Sequence, residues 1–253
     1  MILIIGYMNK GKQMHEMTHK LARISGLAYL SRDHSLGEFS ILGYSKVEFI
    51  NYEGAQAYVL WNSKEMVIVF RGTEANKWND IKADLRAWLV PSKNGKVHKG
   101  FNIELEKLWF HIEHKIESVG KDKKLYITGH SLGGAMATLC ASKLTGHPEI
   151  NVDFLCTFGS PRVGNREYVN SITAEHHRYV NNNDIVTTVP PALLTYKHHG
   201  EMKYINHYGN IRKMTFWQRI KDQLRGRWSA FKKHVPFDGA YDHSIKYYIR
   251  YTG

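Results

Sequence analysis

At 253 residues the chain is the size of one α/β domain and can bury a substantial core, and its 43% apolar and 12% aromatic content excludes a disordered polypeptide. Two cysteines exclude a disulfide scaffold, and no apolar run approaches the ~20 residues that span a bilayer. Lys and Arg number 35 against 23 Asp and Glu, and the resulting +12 favours anionic partners, a phospholipid surface or nucleic acid, without choosing between them.

The apolar run Ile2 to Ile5 ends at Gly6, Asn9 and Lys10. It lacks a basic start and falls short of the about 7–15 residues of a signal-peptide core, so a protein made without a secretory signal is expected, cytoplasmic or peripheral to a membrane. Met14, Met17, Leu21, Ile24 and Ala28 recur at helical spacing. Ala57 to Trp61 and Met66 to Phe70 read as two strands of a hairpin around Asn62-Ser63. Phe101, Leu105, Leu108, Ile112, Ile116 and Val119 make one stripe of a long helix that stops at Gly120. Leu125 to Thr128 is a short strand, Leu132 to Leu144 a helix apolar on most faces, and Val152 to Phe158 a buried strand. His177 to Asn181 is a further strand with a polar loop after it. Cys140 and Cys156 sit in apolar surroundings and read as buried thiols. Alternating strands and helices predict a mostly parallel sheet covered on both faces. Without repeats or a linker, residues 1–253 are expected to form one domain.

The chemistry centres on Gly129-His130-Ser131-Leu132-Gly133, with Gly134 following. A serine on a sharp strand-to-helix turn needs small neighbours, and the turn lifts its hydroxyl to a helix N-terminus, where N–H groups favour developing negative charge. The bare pattern is common, but here an apolar strand precedes it and a small-residue helix follows. A serine hydroxyl needs a base. In nucleophile-elbow hydrolases the chain order Ser, then acid, then His restricts that base to His198, His199, His207, His234 and His243. His243 lies just before the terminal stretch Ile245 to Ile249, while His198 and His199 fall in an expected strand. Asp184, in the polar loop after a strand, is the favoured acid that would orient the imidazole, with Asp153 and Asp238 as rivals.

These residues resemble the class 3 lipase family, the fungal triacylglycerol-lipase type, from about Gly54 to Tyr248. The blocks are Phe70-Arg71-Gly72-Thr73, Val97 to Phe101, Gly129 to Gly134, Phe158 to Asn165, Asn183-Asp184 with Val186 and Pro190, His199-Gly200, and His243 with Tyr247. The resemblance implies an α/β-hydrolase fold and a triad of Ser131, Asp184 and His243. It also implies an oxyanion hole from the backbone N–H groups of Thr73 and Leu132, and a lid over Asn79 to Leu85. No metal and no cofactor are expected. Trp78, Ile81, Leu85, Trp88 and Leu89 form a helical stripe there.

Between Arg212 and Val235, Trp217, Ile220, Leu224, Trp228, Phe231 and Val235 fall three or four apart, interleaved with basic residues and one acid, Asp222. A basic helix with Trp and Phe on its apolar face suits an anionic membrane surface. The competing reading is a helix packed on the core, with Gly226 as a point of breakage. The expected function is hydrolysis of lipid carboxylic esters, triacylglycerol or phospholipid. The alternatives are a soluble carboxylesterase of feruloyl type and a silent lipid- or nucleic-acid-binding module, nucleic acid being the less favoured partner.

Overall fold

The computed structural model describes residues 2–72, 88–120, 122–232 and 238–253. Helices α1 (Ile2–Leu27) and α2 (Arg32–Ile41) lead into three antiparallel-paired strands, β1 (Lys46–Tyr52), β2 (Ala55–Trp61) and β3 (Glu65–Phe70). A separate hairpin, β4 (Leu89–Ser92) and β5 (Gly95–His98), precedes α3 (Lys99–Val119). Then come β6 (Lys124–His130), α4 (Leu132–Leu144), β7 (Val152–Phe158), α5 (Arg166–Asn170) and β8 (His176–Asn181). The chain closes with β9 (Glu201–Ile205), β10 (Ile211–Arg212), α6 (Phe216–Lys232), α7 (Asp238–Tyr241) and α8 (Ile245–Thr252).

The main sheet runs β1-β2-β3-β6-β7-β8-β9-β10, and β3, β6, β7, β8 and β9 are parallel to one another, with antiparallel pairs at both margins. Its two faces bury different helices, as the two-residue strand period demands. Met66, Ile68 and Phe70 of β3 join the core under α3 and α4, while Val67 and Val69 join the core under α1, α2 and α8. This is the α/β-hydrolase architecture, with parallel strands covered on both sides.

The expected hairpin forms as β2 and β3, and the Asn62 side chain accepts from the Lys64 and Glu65 N–H groups at 2.8 and 3.0 Å, closing the turn. In α3 the buried positions are Phe101, Leu105, Leu108, Ile112 and Ile116, the stripe that the periodicity marks. Both cysteines are buried and free. Three features depart from the sequence reading. The first helix begins at Ile2, twelve positions ahead of the periodic stripe. Leu89 opens strand β4 instead of extending a helix. Gly226 does not break α6, for a packing reason given below.

Candidate active site

The parallel strands deliver β6, β7 and β8 to one edge of the sheet, and the chemistry gathers at their carboxyl ends. Ser131 joins β6 directly to α4 with φ 58° and ψ −129°, a region that non-glycine residues occupy at a cost of about 1–3 kcal/mol. The surrounding packing holds it there. A Cβ on Gly133 would lie 2.2 Å from the Phe70 carbonyl oxygen, and one on Gly129 would lie 2.3 Å from the Gly133 backbone, so only glycines let α4 start this close to the sheet. The Ser131 N–H donates to the Phe158 carbonyl at 3.0 Å, tying the turn to β7. Ser131 is 1% exposed, and its Oγ has no hydrogen-bond partner among the described residues.

Asp184 follows β8 and caps the short 3₁₀ turn Ile185–Thr188, its Oδ1 accepting from the Val186 N–H at 2.9 Å. His243 Nδ1 lies 3.0 Å from Asp184 Oδ1 and 2.9 Å from Oδ2, and both residues are buried. A carboxylate can only accept, so Nδ1 carries the proton and Nε2 is left as the basic nitrogen. The Tyr248 hydroxyl, from α8, also donates to Asp184 Oδ2 while accepting from the Asn181 N–H at 3.0 Å. Burial, with the Asp184 charge beside it, pushes the Tyr248 phenol well above its ordinary range and keeps it a neutral donor.

The imidazole of His130 stacks on that of His243, with ring centroids 4.5 Å apart. His130 Nε2 reaches the His243 carbonyl at 2.7 Å and must donate to it, so a neutral His130 accepts at Nδ1 from the Tyr29 hydroxyl 2.9 Å away. Burial, then the proximity of His243, holds His130 well below the usual histidine range. The neutral His130 ring places no like charge beside the His243 imidazole. Gly159, at φ 57°, supplies the floor: a Cβ there would lie 2.7 Å from Asp184 Oδ2 and 2.9 Å from His243 Nδ1.

The structure therefore brings Asp184 and His243 together beside the turn that carries Ser131. Leu132 opens α4, whose first-turn amides lie at the helix N-terminus beside the serine. Thr73, and with it Trp78, Ile81 and Leu85 of the expected lid, lies outside the described residues. Trp88 is described and exposed. The rivals are placed elsewhere. Asp153 Oδ2 accepts from the Leu125 N–H at 2.8 Å, at the start of β6 and so at the opposite end of the strand from Ser131. Asp238 opens α7. His198 and His199 precede β9 instead of lying in a strand, bonded to the Thr187 carbonyl and to His176. Sequence reasoning passed over Tyr248, His130 and Gly159. Tyr247 packs at a tilt against Tyr241 and stacks on Tyr251, and its neighbour Tyr248 is the tyrosine that reaches the acid. The signal available for Tyr248 was its place in a terminal helix that had to bury one face beside Asp184.

The sequence profile of the lipase (class 3) family matches residues 67–194, which contain the serine turn and the acid loop. A lipase of Rhizomucor miehei is 34% identical over 159 residues, covering 57% of this chain and 42% of that protein. A lipase of Rhizopus niveus is 32% identical over 200 residues, covering 74% of this chain and 49% of that protein, so the chain spans under half the length of these relatives. The solved structure of lipase II from Rhizopus niveus superposes with a TM-score of 0.65 at 27% identity, covering 77% of this chain and 81% of that one. With the profile spanning half of the chain and the fold shared, the protein belongs to the class 3 lipase family.

Proposed function

We propose that residues 1–253 form one hydrolase domain that cleaves carboxylic esters of lipids, triacylglycerol or phospholipid, through an acyl-enzyme on Ser131. The observation that carries this reading is the buried Asp184–His243 pair, with Nδ1 committed to the carboxylate, set beside a serine strained onto a helix N-terminus. His243 Nε2 takes the Ser131 proton as Oγ bonds to the ester carbonyl carbon. The N–H of Leu132, with that of Thr73, holds the oxyanion, and such donors each contribute about 3–4 kcal/mol to transition-state stabilisation. The alcohol leaves with the proton from His243, and water releases the acid by the same route.

The natural setting belongs to the same proposal. Among the described residues no helix is long and apolar enough to cross a membrane, and the reading is of peripheral contact with an anionic membrane through Arg212 to Val235. Labelling by a fluorophosphonate probe, together with a panel of monoacyl, diacyl, triacyl and phospholipid esters, tests the assignment. Ser131→Ala is expected to remain folded, to lose labelling and to lose turnover; comparable activity in the two proteins would refute it. Activity that jumps when a short-chain ester passes its solubility limit marks a lipase, whereas smooth saturation marks a carboxylesterase.

A further inference from the structure

Helix α6 sits on the molecule the reverse way round from an ordinary surface helix. Its buried positions are Asp222, Gly226 and Ala230, spaced by one turn each, while its aromatic stripe points outward. Trp217 is 71% exposed, Leu224 57%, Trp228 61% and Phe231 74%, and the last two rings stack at 6.0 Å. An amphipathic helix normally buries that stripe.

Polar bonds on the inner side fix this orientation. Asp222 Oδ2 accepts from the Asn182 side chain at 2.8 Å, the Tyr204 hydroxyl at 3.1 Å and the His207 N–H at 2.9 Å. The Asn183 side chain donates to the Gln223 carbonyl at 3.0 Å, and the Gln223 side chain donates to the Asn182 carbonyl at 3.2 Å. Gly226 is the contact point, since a Cβ there would lie 2.5 Å from Asn182 Oδ1. Rotating the helix to hide its aromatic residues would break all of these bonds, so the apolar face remains in water unless something outside the described fold covers it.

The charge on that face selects the occupant. Lys221, Arg225, Arg227 and Lys232 are exposed, and the helix's single acid, Asp222, is turned inward. A second copy would set two basic faces against each other in a chain of net charge +12. A nucleic acid would satisfy the basic groups but offers no apolar phase for Leu224 and Phe231. An anionic bilayer satisfies both, its headgroups meeting the basic side chains and its acyl boundary taking the aromatic ones.

We infer that the outer face of α6 docks on an anionic lipid surface, with Trp217, Leu224, Trp228 and Phe231 entering the headgroup–acyl boundary. Its inner face grips Asn182 and Asn183, the two residues before Asp184. Docked lipid thus lies about one helix diameter, roughly 10–12 Å, from the acid loop. The second half of this inference, delivery of ester to the mouth of the site, rests on the catalytic reading above; the docking itself does not.

The test uses the 253-residue chain carrying Ser131→Ala and vesicles of equal parts phosphatidylglycerol and phosphatidylcholine. The expected result is salt-sensitive binding with a blue shift in tryptophan emission, weakened about tenfold or more by adding Trp217→Ser, Trp228→Ser and Phe231→Ser together. In the Ser131-intact protein the same three substitutions should leave hydrolysis of a soluble monomeric ester unchanged and lower that of a vesicle-borne ester. Equal vesicle binding with and without the aromatic residues overturns the inference. So does equal binding to pure phosphatidylcholine, a tighter competing single-stranded oligonucleotide, or a dimer that these substitutions dissolve. A wild-type protein inert on both esters that keeps aromatic-dependent vesicle binding overturns the catalytic reading and supports the docking.

Discussion

Asp184 is held by more than its histidine. One carboxylate takes the Val186 N–H, the His243 ring and the Tyr248 hydroxyl, so its position is over-determined and it sits as an aligned anion behind the imidazole. A hydrogen bond to a charged acceptor contributes about 1.5–3 kcal/mol. Tyr248→Phe keeps the ring in its buried slot and removes only the oxygen. The acid loses one donor, and the Asn181 N–H loses its acceptor. The expected outcome is a fall of about tenfold or more in kcat, with KM for a soluble ester nearly unchanged, because in the proposed mechanism the lost bond serves the charged imidazole of the transition state and not substrate binding. An unchanged kcat would show that Asp184 is positioned without Tyr248. The role was hard to read beforehand: two adjacent tyrosines, 247 and 248, could each have faced the acid, and only the rotation of α8 about its axis decides between them.

At the scale of elements, the serine turn was legible because its requirements are local: a short apolar strand, small residues and a helix of small side chains. The outer strands and short connectors were less so. Strand β1 pairs at the sheet margin and is largely half-exposed, so its alternation is weak, and β4 and β5 pair with each other outside the main sheet, β5 adding a bridge from Val97 to the distant Gly164. Helix α6 shows why hydrophobic periodicity alone misleads. The stripe is real, but which face goes inward was settled by one acid and one glycine. Asp222 is 1% exposed and receives three donors, so its removal strands all three. With unsatisfied buried donors costing about 1–3 kcal/mol each, Asp222→Ala is expected to lower stability by about 3 kcal/mol or more in urea titration. Asp222→Asn, which keeps one acceptor oxygen, should lose less. A stable Asp222→Ala protein would mean that the helix is held by something other than this cluster.

Over the whole molecule, composition and chain order pointed to an alternating sheet and helix fold, while the number of histidines that the fold buries was invisible to them. Of the 15 histidines, His98, His130 and His176 are each 5% exposed or less. Burial pushes His98 down to about 4, and it pushes His130 and His176 well below the usual value near 6.5, the neighbouring His243 and His199 adding to it. Each has a task as a neutral ring: His98 caps α3 by accepting from the Phe101 N–H, His130 supports His243, and His176 meets Thr157. In the unfolded chain all three take up protons below about pH 6.5, and in the folded chain they resist. The unfolded state then binds more protons, so stability is fully present above pH 6.5 and declines as the pH falls below it. For His98 the loss continues until about pH 4, where the folded protein also becomes protonated. These three contribute a limiting slope of about 4 kcal/mol per pH unit, from roughly 1.4 for each, and His198, held well below the usual value by burial, adds to it in the same direction. Scanning calorimetry from pH 7.5 down to 5 should therefore show Tm flat above 6.5 and falling steeply below it, with His98→Asn flattening the decline by about a quarter at most. A Tm that stays level to pH 5 would mean that these rings accept protons in place, and that the neutral His130 platform beneath His243 does not exist.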